Sequence, residues 1–275
     1  MRWYCSASPA ISRPLTPADL FRPIHDATGG ADGWVSLEVS PLLADDTAGT
    51  IIAAARLHAR AQRPNLFIKI PGTAAAEAYM RGIERRIAAG LDPKVASVAS
   101  IFIGRWDVAV TDKVSAGFRN RLGIAIAVRT YKAYRDLLAS RRWQKLAASG
   151  ARPQRLLWAS TGTKDPAASG TLYVEALAAP DTIDTIPEKT LLAFAEHGRV
   201  DKLLPADAGY AEAVLAEFTR EGVDDEALAA ELQREGSAVF AKSWNDLMYR
   251  IAEKAEALTN AKEALAARRN KRAVR

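Results

Sequence analysis

The chain has 275 residues, 49% of them hydrophobic and 25% charged, with one cysteine and a formal charge of +6. That length buries a large core in a single α/β domain, and the composition excludes disordered, collagen-like and disulfide-built classes; a lone Cys5 closes no intrachain bridge, which points to a reducing, cytoplasmic setting. The basicity is local, because Lys262, Arg268, Arg269, Lys271, Arg272 and Arg275 meet only Glu263 in the last stretch, so it belongs to a tail over residues 261–275 and no nucleic-acid partner is expected.

Along the chain, short β-branched runs alternate with longer helical patterns. The first strand is expected over Trp34–Ser40, followed by a helix capped by Asp46 or Thr47, with Ile51, Ile52, Ala55 and Ala59 as its apolar stripe. Asn65–Ile70 is the second strand. A helix then places Ala76, Tyr79, Met80, Ile83 and Ile87 on one face and stops at Gly90, a natural C-cap. The third strand, Val95–Ile103, lies in an uncharged run about half as long as a membrane span needs, so no membrane partner is expected. Helices over Trp106–Arg119 and Ile124–Leu138 lead to strands at Arg155–Thr161 and Asp181–Thr185. After Pro205 only helices follow, Tyr210–Glu221 and a long pattern through Leu228, Leu232, Val239, Phe240, Leu247 and Ile251. This order implies parallel βαβ units in one domain over residues 1–260. Five strands are visible, where a closed (β/α)8 barrel has eight.

Four places could carry chemistry. Lys69 stands at the carboxyl end of an apolar strand, NLFIKIPG, where an ammonium is costly to bury. A lysine neutralised there is a nucleophile for a ketone; a lysine reaching out past the strand, or paired with Glu38, fits the same position. In SLEVS, alternation sets Ser36, Glu38 and Ser40 opposite Leu37 and Val39, so Glu38 could hold a water or relay a proton at a strand end. In ASIFIGRW, Ser100 lies within an apolar strand and Arg105 at its end opens a helix, which suits a phosphate as well as an ordinary surface arginine. Finally, WASTGTKDP puts hydroxyls, a glycine turn and Lys164 after a strand, fit for an anion or simply for a turn. His25, His58 and His197 lack metal-ligand spacing, and no P-loop, GxSxG or GxGxxG pattern occurs.

These segments, in order, resemble the transaldolase family: DATGGADGWVSLEVSPLLADDT, RPNLFIKIPGT, GLDPKVASVASIFIGRWD, GARPQRLLWASTGTK and LYVEALAAPDTIDTIPEKTL, from about Pro17 to Phe240. The likeness is to its longer bacterial branch, which shares WASTGTK. The resemblance implies a TIM (β/α)8 barrel and a transferase of the pentose phosphate pathway. Such an enzyme moves a dihydroxyacetone unit between sedoheptulose 7-phosphate or fructose 6-phosphate and aldose phosphates. It implies Lys69 as the Schiff-base lysine, Glu38 as the glutamate that holds the catalytic water, and Ser100, Arg105, Ser160 and Lys164 as substrate- and phosphate-binding residues. No metal or organic cofactor is implied, and phosphosugars are the only partners; the oligomeric state is not written in the sequence.

Against the family pattern, the barrel's first, second and fifth strands are not found. The family's acid/base aspartate precedes SLEVS and has no counterpart in MRWYCSASPAISRPLTPADL. After KIPGT, Thr73 passes straight into AAAEAYMRGIERR, where the family inserts a helix and a strand bearing an NVT-type motif. A barrel with gaps leaves three further readings: a non-catalytic remnant that at most binds phosphosugars, a fructose-6-phosphate aldolase using the same lysine, or an interaction protein acting through its basic tail.

Overall fold

The computed structural model describes residues 16–70 and 75–273, with side chains up to residue 260. Cys5, the Pro71–Thr73 part of KIPGT and the expected join at Thr73 lie outside these residues. Two compact units partition the chain, one from residues 1–72 and 237–275, the other from 73–236.

In the first unit, helix α1 (Pro17–Ala27) starts at a reciprocal cap. Thr16 accepts from the Asp19 N–H, Asp19 accepts from the Thr16 N–H, and Pro17 needs no donor there. The helix has no counterpart among the sequence expectations. Beyond it Gly33, with φ +76°, packs so closely that a Cβ would lie 2.3 Å from the His25 backbone nitrogen, so the turn into the next strand admits no side chain. Strand β1 (Val35–Glu38) leads to α2 (Thr47–Ala61), capped by Asp46 as expected, with 2.8 Å between its carboxylate and the Gly49 nitrogen. The stripe on α2 differs from expectation: Ile51 and Ile52 are 63% and 65% exposed, and Ala53, Ala54 and Leu57 are the better covered residues. Strand β2 (Leu66–Lys69) pairs in parallel with β1, Val35 opposite Leu66 through Glu38 opposite Lys69. Fully buried Asn65 fastens this pair, donating from Nδ2 to the carbonyls of Ala18 at 2.8 Å and Gly33 at 3.0 Å.

The second unit holds the larger core. Helix α3 (Ala75–Ala88) buries Met80 and Ile83, two members of its expected stripe. Strand β3 (Ser97–Phe102) follows. The expected Trp106–Arg119 helix is instead the short α4 (Gly104–Val110), then a tight turn at Ala116–Phe118 and Asn120 at φ +61°. The chain breaks there because the buried Asp107 side chain is committed to the next helix, accepting from the Leu122 and Gly123 N–H groups at 2.9 and 3.2 Å. That helix, α5 (Leu122–Ala139), is apolar on most sides and buries Leu122, Ile126, Val128 and Tyr131. α6 (Arg141–Ala148) lays Trp143 and Leu146 on Met80 and Ile83. Strand β4 (Gln154–Ala159), α7 (Leu172–Ala176), β5 (Thr182–Asp184), α8 (Glu188–His197) and α9 (Gly209–Arg220) complete the unit with the start of α10 (Asp225–Ala273). β3, β4 and β5 form one parallel sheet in that order. Its core joins Ile103, Leu122, Trp158, Tyr173, Leu177 and Phe218, each at most 1% exposed.

The protein is thus an α/β fold with five parallel strands among the described residues, in a two-stranded and a three-stranded sheet. Every strand read from the sequence is present; four are trimmed at both ends, and β4 starts one residue earlier, at Gln154, and stops at Ala159. A closed eight-stranded barrel is not formed by the described residues, and the two sheets separate the strands on either side of Thr73. The C-terminal pattern is a single helix of 49 residues. No described helix is long and apolar enough to cross a membrane.

Candidate active site

Lys69 and Glu38 are direct neighbours in the parallel register of β2 and β1. Their side chains therefore leave the sheet on the same face, and Lys69 Nζ lies 3.1 Å from Glu38 Oε1. One step back along that face, the rings of Trp34 and Phe67 stack with centroids 4.2 Å apart, and His25 meets Trp34 edge-on. From α10, Phe240 presents its ring face to Lys69 Nζ at 4.8 Å. Lys69 Nζ thus lies between a carboxylate and an aromatic face. Burial is not the device. The Lys69 and Glu38 side chains are 38% and 40% exposed, and of the readings open from the sequence the structure has the lysine paired with Glu38. Phe240 was read from the sequence only as part of an apolar pattern.

In the second unit, Arg105 and Ser160 come from the ends of β3 and β4. Backbone bonds tie the two ends together: the Ile103 N–H donates to Ala159 O at 2.8 Å and the Gly104 N–H to Ser160 O at 3.1 Å. To offer that carbonyl, Ser160 adopts the left-handed region at φ +59°, a conformation that costs about 1 kcal/mol for a residue with a Cβ. The Arg105 guanidinium covers the Phe102 ring at 4.8 Å and reaches Gly236 of α10. Ser100 is exposed in the middle of β3, although its neighbours are half-buried. Lys164 is exposed on the loop after Ser160, a loop held by Asn120 donating to Asp165 at 2.8 Å and Thr163 donating to the Ser169 carbonyl at 2.7 Å. The six predicted residues therefore fall into two groups, Lys69 with Glu38 in one unit and Ser100, Arg105, Ser160 and Lys164 in the other.

Two acids, the buried Asp107 and the half-buried Asp184, escaped the sequence reading. Asp107 accepts from Tyr173 Oη at 2.8 Å besides capping α5, and burial pushes its carboxyl up while these donors oppose the shift. Asp184, at the end of β5, lines an apolar cavity of about 490 Å³ with Trp158, Leu177, Phe194, Val200 and Leu203. Burial pushes it up to about 6, against the Thr161 hydroxyl, which donates to it at 2.8 Å. The one sequence signal for Asp107 was an acid two residues after Arg105 among apolar neighbours. Among the described residues no cluster of three metal-binding side chains occurs.

The chain matches the transaldolase/fructose-6-phosphate aldolase family over residues 10–90 and 74–251. It is 42% identical to a transaldolase of Parafrankia sp., with 86% of this chain and 74% of that protein covered. A transaldolase of Thiobacillus denitrificans is 40% identical over 85% of this chain and 75% of its own length, and transaldolase 1 of Streptomyces avermitilis is 40% identical over 86% and 72%. The chain belongs to the transaldolase/fructose-6-phosphate aldolase family. Within it, this is an enzyme of the transaldolase type, a transferase of carbohydrate metabolism in the pentose phosphate pathway, and the family implies phosphosugar substrates. The Parafrankia alignment spans 274 positions but takes up only 86% of these 275 residues, so that relative has internal residues which this chain lacks. The two family matches overlap at residues 74–90, just after the join at Thr73.

Proposed function

We propose that this transaldolase works through a Schiff base on Lys69, with Glu38 as its proton-transfer partner. The observation that carries the proposal is the 3.1 Å pair between Lys69 Nζ and Glu38 Oε1 on adjacent parallel strands. A carboxylate at that distance takes a proton from the ammonium and frees the amine's lone pair. Nζ adds to the C2 carbonyl of fructose 6-phosphate or sedoheptulose 7-phosphate, and the carbinolamine expels water to leave an iminium. The iminium draws the electrons of the C3–C4 bond as it breaks, the C4 hydroxyl loses its proton, and an aldose phosphate departs. The bound enamine then attacks the aldehyde of a second aldose phosphate, and water returned to C2 releases the new ketose. Glu38 is the group beside Nζ that can position this water, and no metal or organic cofactor enters. Arg105, with Ser100, Ser160 and Lys164, is assigned the phosphate: a guanidinium is suited to its paired oxygens and hydroxyls to the remaining acceptors.

The test is borohydride trapping with fructose 6-phosphate followed by mass mapping. An adduct on Lys69, absent in Lys69→Ala, is expected. Glu38→Gln should keep the adduct but slow its formation by about a hundredfold, the usual worth of a proton-transfer group. A folded protein that yields no adduct would sink the lysine assignment. Accumulation of free glyceraldehyde 3-phosphate without transfer to an acceptor would favour the aldolase reading over the transferase.

A further inference from the structure

The phosphate assignment puts weight on a corner of the fold where five elements meet. Arg105 follows Gly104 directly, and Gly104 is wedged: a Cβ there would lie 2.7 Å from the Ser160 carbonyl oxygen and 3.6 Å from a ring carbon of Tyr173. Tyr173, 1% exposed on α7, thus packs beside the residue that joins the ends of β3 and β4. Its hydroxyl runs on to Asp107 Oδ2 at 2.8 Å, and that carboxylate also takes the first two N–H groups of α5. Asp107 is 4% exposed and stands two residues beyond Arg105 on α4. Neither Asp107 nor Tyr173 has a part in the lysine chemistry. An acid this deeply buried is expensive to keep, and here its carboxylate ties the segment bearing Arg105 to α5 and α7.

We propose that Asp107 and Tyr173 are positioning residues for phosphate binding. Through the Tyr173 hydroxyl–Asp107 bond, and the Tyr173 ring against Gly104, they hold the start of α4 against Ser160, and so fix where the Arg105 guanidinium and the Ser160 hydroxyl meet a phosphate. The inference rests on the assignment of Arg105 and Ser160 to the phosphate. Tyr173→Phe keeps the ring against Gly104 and deletes only the hydroxyl, so it isolates the bond to Asp107. Asp107→Asn keeps an acceptor for α5 but weakens the charge-assisted bonds.

The experiment titrates the full-length protein with inorganic phosphate and with fructose 6-phosphate by calorimetry, and measures KM and kcat. Tyr173→Phe should bind both ligands about tenfold more weakly, since a small displacement of a positioned group costs that much or more. KM for the ketose phosphate should rise by a similar factor, with kcat within about twofold of the parent at saturation. Asp107→Asn should show the same split, which keeps the proposal testable if one variant folds poorly. Variants that melt earlier but bind phosphate as the parent does would show a brace of the fold alone and overturn the proposal. Arg105→Ala separates the two layers of argument. If the parent binds no phosphate, or Arg105→Ala binds it unchanged, the phosphate assignment fails and takes this proposal with it; if only Arg105→Ala weakens binding, the assignment stands and the positioning role falls.

Discussion

Asp184 is held at a cost that a single amide would remove. Its carboxyl, pushed up to about 6 by burial, binds a proton more tightly in the folded chain than at the ordinary value of 3.8. Above about pH 6 both states are ionised and the penalty is fully present. As the pH falls toward about 4 the folded state takes up its proton first, and the penalty disappears. Asp184→Asn should therefore raise unfolding free energy near pH 7 by about 1–2 kcal/mol, after allowance for solvent reaching the carboxyl, and change little near pH 4. Urea unfolding at the two pH values checks this, and a variant destabilised at neutral pH would contradict it. Nothing in DTIDT singles this acid out, because Phe194, Val200 and Leu203, which line its cavity with it, arrive later in the chain. Lys69 and Glu38 were legible for the opposite reason. Lys69 interrupts an apolar run, Glu38 sits on the polar face that alternation defines, and adjacent parallel strands turn these two local signals into a contact.

At the scale of single elements, periodicity identified the helices more reliably than their buried faces. On α3 the stripe through Met80 and Ile83 lies inward, because Trp143 and Leu146 of α6 cover it. On α2 Ile51 and Ile52 face outward while smaller residues are covered, and no pattern within α2 announces that choice. The break after α4 was equally unreadable, since the residue that ends it, Asp107, acts on an element starting fifteen residues later. Two glycines make opposite predictions from these surroundings. Gly123→Ala would place a Cβ 2.7 Å from both Asp107 Oδ2 and the Ile103 carbonyl oxygen; a loss of about 2 kcal/mol is expected, because neither neighbour can yield. Gly82→Ala, within α3, meets nothing within 4 Å and should gain about 0.5–1 kcal/mol from helix propensity. Denaturant midpoints of the pair, opposite in direction from the parent, are the measurement.

Over the whole molecule, buried apolar surface is unevenly shared. Among the described residues of the first unit only Ala18, Val39 and Leu66 are buried hydrophobics, whereas Leu20, Phe21, Leu37, Ile51 and Ile70 stay exposed. The second unit holds both apolar clusters. Amide exchange should accordingly be fastest in β1 and β2 and slowest in β4, where Leu156 and Trp158 are buried; mass spectrometry of exchanged peptides reads this directly, and equal protection of the two sheets would refute it. The strand count was legible because each strand is a local run of residues. The division into two sheets was foreshadowed only by the passage from Thr73 into the α3 helix, since sheet membership depends on which strand lies alongside.

This imbalance separates durability from activity. The lysine proposed to carry the Schiff base belongs to the sparsely buried unit, and the proposed phosphate grip to the well-packed one. On warming, borohydride-trappable protein should disappear at a lower temperature than phosphate binding or bulk helix content. A stored sample could therefore keep its ellipticity, and even its affinity for phosphate, after it has ceased to turn over. If Lys69 carries the Schiff base as proposed, counting live molecules means counting Lys69 adducts.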